Sequence, residues 1–143
     1  MTADRKLIRA GFILFCLALI TGFAIPHFLN PKMALAAHVT GVLNALVLIA
    51  VGLVWHLLDL PPRLRAATRV LFLFATFINW AGSCLAAAWG TGRLTPLSSV
   101  GHSAVGWKEA TVQALQVSVA LAVLSGAVLV VYALRAPAIG SET

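Results

Sequence analysis

The chain has 143 residues, of which 61% are hydrophobic and only 10% charged. That is too apolar for an ordinary soluble domain, and the length suits one compact unit. The net charge of +6 does not mark a nucleic-acid partner, because the basic residues stand in short clusters between apolar runs instead of along one face.

The N-terminal stretch "MTADRKLIRAGFILFCLALITGFAIP" has the basic start of a signal peptide. Its apolar run is too long for that, and no small-residue cleavage site precedes Pro26. It is expected to stay as a transmembrane helix over residues 7–25. A second apolar run follows at 33–58, bounded by Pro31 before it and by Pro61 and Pro62 after it. A third is expected at 66–89 and a fourth at 110–134, each long enough to span about 30 Å of hydrocarbon. The fold class is therefore all-α, an integral membrane bundle of four transmembrane helices in a single domain, with a flexible cytoplasmic tail at 135–143. Cys16 and Cys84 lie inside apolar runs with no partner at metal-site spacing, and read as small buried hydrophobes.

Charge orients the bundle. Arg5, Lys6, Arg9, Arg63, Arg65, Arg69 and Arg135 flank one side, seven in all, against Lys32, Arg93 and Lys108 on the other. Positive-inside bias puts both termini in the cytoplasm, across the inner membrane. Trp55, Trp89 and Trp107 stand near segment ends, where indoles favour the interface. Trp80 lies mid-segment.

Several polar residues interrupt the apolar runs, and burying each in a bilayer costs free energy. At about 1.5 Å per residue, Asn44 and Asn79 lie about 15–16 Å from the outer ends of their helices. Their amides are expected to meet near the midplane. His38 lies higher, level with Gln116, with Gln113 and Glu109 above. These residues form a polar column from three helices. The asparagines can hydrogen-bond across a helix pair, and Glu109 can cap the fourth helix. His38 is open to two readings, structural or metal ligand. Ala37, Gly41 and Ala45 leave space beside its ring, for a neighbouring helix packed closely or for a flat cofactor. The third and fourth segments hold no histidine, so one chain cannot build opposed pairs of axial ligands. A single axial histidine would suit binding and Lewis-acid chemistry better than electron transfer. There is no phosphate loop, G-x-S-x-G, H-E-x-x-H or Cys-x-x-Cys.

Two stretches, "GFAIPHFLNPKMALAAHVTGVLNALVLIAVGLVW" and "FINWAGSCLAAAWGTG", resemble the hydroxylaminobenzene mutase family. The resemblance is specific around N-P-K-M-A-L-x-A-H-x-x-G-V-x-N. It implies a small four-helix membrane enzyme that rearranges aryl hydroxylamines to aminophenols. A more distant similarity, through A-H-x-x-x-x-x-N, is to styrene oxide isomerase. That relative implies haem b at a trimer interface, with His38 as axial ligand and Asn44 as a substrate-facing amide. The isomerase has a tyrosine on its third helix, and this chain has none there. Tyr132, its only tyrosine, lies on the fourth. Thr40 and Ala45 stand where an acidic residue and a glycine are common in mutases, which points to a different substrate range.

The expectation is thus a haem-dependent mutase acting on a small aromatic substrate, embedded in the lipid bilayer as a homo-oligomer, a trimer with haem between subunits. His38 would hold the iron, Asn44 and Asn79 would orient the N–OH group, and Glu109 would transfer a proton. Trp80 would stack on the ring, and Gln113 would line the substrate site. Epoxide isomerisation with the same haem, or a membrane haem carrier without catalysis, are the alternatives.

Overall fold

The computed structural model describes residues 3–135. The expected cytoplasmic tail, past Arg135, lies outside them. The described chain is all-α, and four of its helices are long and apolar enough to cross a membrane. These are α1 (Ala3–Ala24), α2 (Pro31–Leu53), α3 (Pro62–Trp89) and α5 (Gly106–Ala133), with a short α4 (Pro96–Ser99) in the last connection.

Local chemistry accounts for the helix ends. At the start of α2, the Asn30 side chain accepts from Met33 N at 3.1 Å, and Pro31 occupies the first turn. Both choices satisfy or remove backbone donors that have no intrahelical partner. The helix stops at Leu53, five residues short of the expected end. The chain tightens there into a 3-10 turn at Trp55–Leu57 and runs extended at Leu58. Leu60 stands before Pro61, where the pyrrolidine ring disfavours helical backbone. Trp55 is accordingly 4% exposed and part of the core, not an interfacial indole. The third helix starts at Pro62, four residues early, again with proline in its first turn. It ends at Gly90, whose φ of +64 supplies the left-handed cap that other residues resist. The short α4 was not foreseen, and Val100 behind it holds a φ of 51, a strained value for a β-branched residue.

In space, α1 packs on α2, α2 on α3, and α3 on α5. Lipid tails are as apolar as leucine, so burial alone does not pull such helices together, and close backbone approach must. The α2 stripe Ala34, Ala37, Gly41 and Ala45 is buried. A Cβ on Gly41 would stand 2.6 Å from Trp80 Cδ1 and 2.7 Å from Ala18 Cβ. One on Gly11 would stand 2.9 Å from the Ala45 carbonyl. The stripe expected to meet a neighbouring chain or a flat cofactor is therefore filled from within, by α1 and α3. Large side chains point outward, Phe23 at 86% and Val131 at 74% exposure, which suits a lipid-facing surface.

Candidate functional site

His38 is half-buried, and its ring lies against Gly22 of α1. Nδ1 is 2.7 Å from the Ala18 carbonyl oxygen. A carbonyl can only accept, so Nδ1 carries the proton and the lone pair sits on Nε2. No described residue bonds Nε2. Ala36 and Thr40, two residues either side of His38, lie about 160–200° round the helix from it. They point away from α1, toward the gap beyond α3.

That gap is a cleft of about 400 Å³. Met33, Ala36 and Thr40 of α2 form one wall, Asn79 and Ser83 of α3 the floor, and Gln116 of α5 the other wall. Leu94, Thr95 and Ser98 from the α3–α5 connection close one end. Gln116 Nε2 donates to Ser83 Oγ at 3.5 Å, while the Asn79 amide bonds no described residue. An uncommitted amide at membrane depth is free to meet a ligand. A smaller chamber of about 20 Å³ adjoins the cleft, between Thr91, Glu109, Gln113 and Gln116. That is room for one water.

The polar column therefore forms in part. Asn79, Gln116, Gln113 and Glu109 follow one another along one side. His38 stands apart from them, facing α1. Asn44 and Asn79 do not pair. Asn44 Nδ2 donates to the Thr76 carbonyl at 3.2 Å, and Asn44 sits about one turn below Thr40 on the same flank of α2. Trp80 is turned from the cleft. Its indole covers Gly41, and Nε1 donates to Thr21 Oγ1 at 3.1 Å, which joins α3 to α1. Glu109 is 6% exposed. Its carboxylate accepts from Gly92 N at 2.9 Å, Arg93 N at 3.2 Å and Ala104 N at 3.3 Å. That is the geometry of a loop anchor, with little of the carboxylate left for proton transfer. Ser83 lies outside the expected site, and Thr40 is expected only to alter the substrate range. Each lies four positions from an asparagine already singled out, Thr40 before Asn44 and Ser83 after Asn79, and this spacing was the available signal.

His38 also meets the requirement for an axial ligand. A metal-binding imidazole usually donates its second ring N–H to a carbonyl or carboxylate, which fixes the tautomer. The Ala18 carbonyl fills that role. Among the described residues no three His, Cys, Asp or Glu side chains converge.

The family model described as styrene oxide isomerase matches residues 3–135. Hydroxylaminobenzene mutase HabB of Ectopseudomonas oleovorans is 37% identical over 136 residues, covering 94% of this chain and 83% of that protein. Hydroxylaminobenzene mutase HabA of the same organism is 40% identical over 107 residues, covering 74% and 79%. No solved structure matches the chain.

Proposed function

The chain belongs to the styrene oxide isomerase family, and from that premise we propose that it is a membrane-embedded mutase converting aryl hydroxylamines to 2-aminophenols. The observation that carries the substrate class is the likeness to two proteins named hydroxylaminobenzene mutase over most of the chain. The cleft supports it. Met33, Ala36 and Leu94 offer an apolar surface to a ring, and Thr40 and Asn79 offer hydrogen bonds to an N–OH group at its edge.

The reaction breaks the N–O bond, forms a C–O bond at the ortho carbon and moves the displaced ring proton to nitrogen. Nothing is oxidised or reduced overall, which matches a chain without a nucleotide motif. The Asn79 amide orients the departing hydroxyl, and Asn44 supports it from one turn below. Trp80 shapes the site through Gly41 and Thr21 instead of stacking on the ring. Gln113 lines the adjoining chamber, and Glu109 anchors the connection beside it. His38 Nε2 would hold the iron of a haem b, which when bound would supply a Lewis acid for N–O cleavage.

His38 and the cleft lie on opposite flanks of α2. A homotrimer with haem between subunits would let the His38 flank of one chain face the cleft of the next. Seven cationic side chains against three favour the inner membrane with both termini cytoplasmic.

The test starts with the detergent-purified protein. It should show a Soret band and convert phenylhydroxylamine to 2-aminophenol. His38→Ala should lose band and turnover together while still inserting in the membrane. An unaltered band in that variant would remove His38 as the ligand. The family model's description favours epoxide isomerisation as a second reading. Turnover of styrene oxide without turnover of phenylhydroxylamine would select it. Rapid electron exchange with neither substrate converted would mark a haem carrier.

A further inference from the structure

The two walls of the cleft, α2 and α5, both pack on α3, and each lacks comparable packing on the other. Their separation at the loop end is spanned by the α3–α5 connection, whose Leu94, Thr95 and Ser98 roof the cleft. Two buried polar side chains hold that roof, one from each wall. On the α2 side, Asn30 is 1% exposed. Its Nδ2 donates to the carbonyls of Ser98 at 2.8 Å and Ser99 at 3.1 Å, while its Oδ1 caps α2 at Met33 N. On the α5 side, the Glu109 carboxylate gathers the N–H groups of Gly92, Arg93 and Ala104, on both arms of the connection.

A helix cap needs only one of the bonds that Asn30 makes, and a first-turn carboxylate needs none of the three that Glu109 accepts. The surplus bonds all go to the segment above Asn79. Hydrogen bonds to an ionised group are among the stronger ones in proteins. A donor stranded by losing its partner in a buried site is costly enough to make the segment move.

We propose that Asn30 and Glu109 are positioning residues for the cleft. They set the height of the roof over Asn79, and so decide how bulky an aromatic ring the cleft admits. The proposal rests on the reading of the cleft as the site for a small aryl compound, but not on its turnover. The ring edge remote from Asn79 meets Leu94 and Thr95, so selectivity is felt at the ring position opposite the nitrogen.

The test uses unreactive anilines as probes of the full-length protein in detergent. The dissociation constants of aniline and 4-tert-butylaniline are measured by calorimetry. The wild type should reject the bulkier amine. In Glu109→Gln, an amide NH2 faces backbone N–H donors and the roof loosens. Discrimination should fall by about tenfold or more, since one methylene alone is worth about tenfold or more in a hydrophobic pocket and the two amines differ by a whole tert-butyl group. Asn30→Ser keeps a capping oxygen and gives up the reach to Ser98 and Ser99. It should shift discrimination the same way, which keeps the test open if Glu109→Gln does not fold. Gly126→Ala, whose new Cβ would lie 3.1 Å from Phe72 and away from the cleft, serves as a control for altered packing elsewhere and should discriminate as the wild type does. Equal discrimination in wild type and both roof variants overturns the proposal, as does failure of the wild type to bind any aniline. Normal discrimination by a wild type that converts no hydroxylamine counts against the mutase reading alone.

Discussion

An asparagine amide in hydrocarbon brings two donors and an acceptor that water cannot satisfy, so what each one touches decides its role. Asn44 and Asn79 look alike in sequence, yet the structure gives them different work. Asn44 has its amide on the Thr76 carbonyl, a bond between α2 and α3. Asn79 opens into the cleft without a partner among the described residues. Replacing each by leucine keeps approximate volume and removes the hydrogen bonds. Asn79→Leu should leave the melting temperature near that of the wild type and lower kcat by roughly tenfold or more, the loss expected from one transition-state hydrogen bond of about 1.4 kcal/mol. Asn44→Leu should lower both, because a membrane hydrogen bond is worth about 0.6 kcal/mol on average and its acceptor sits below the substrate. Thermal unfolding followed by fluorescence, together with initial rates on phenylhydroxylamine, checks both. Full turnover by Asn79→Leu with its fold intact would return that residue to helix packing.

At the scale of elements, what packs around α2 depends on Gly41. Trp80 lies across it, and Trp80 in turn bonds Thr21 of α1, so three helices meet at one missing side chain. Gly41→Ala puts a methyl 2.6 Å from the indole and should destabilise the bundle by about 1–3 kcal/mol, the usual cost of overpacking. Gly41→Ala combined with Trp80→Phe should recover part of that loss, a coupling that chemical unfolding in a double-mutant cycle measures. Additive losses would mean that the two side chains do not meet. The helices themselves were legible, because runs of 18 or more apolar residues bounded by proline leave few choices. Rise per residue gives the positions of His38, Asn44 and Asn79 along their helices. Azimuth was not legible. His38 and Thr40 differ by two positions and face opposite sides of α2, and only the packing of α1 tells which side is which. The small-residue stripe signalled close approach without saying whether the helix approaching it came from the same chain. The roof was hidden for another reason. Asn30 and Glu109 act through backbone groups of residues 92–104, and backbone partners leave no mark in the side-chain pattern.

For the whole molecule, the separation of His38 from the cleft gives the proposed homotrimer a consequence that a single chain cannot imitate. If the His38 flank of one chain abuts the cleft of the next, the interface joins two different surfaces, and a closed ring repeats it once per subunit. Every working site then takes its imidazole from one chain and its amide from another. His38→Ala and Asn79→Leu should each be nearly inactive alone. Mixed rings of the two are different, because an Asn79→Leu chain still offers His38 and a His38→Ala chain still offers Asn79. With random exchange at equal amounts, half of the interfaces have an intact His38, and half of those meet an intact Asn79. About a quarter of wild-type turnover should therefore return, the fraction that follows from independent occupancy of the two sides of a heterologous interface. Native mass spectrometry of differently tagged chains would establish that the rings have mixed and that each holds three copies. Mixed rings as inactive as their parents would mean that each chain carries its own complete site, and the His38 flank would then have no part in the chemistry of a neighbour's cleft.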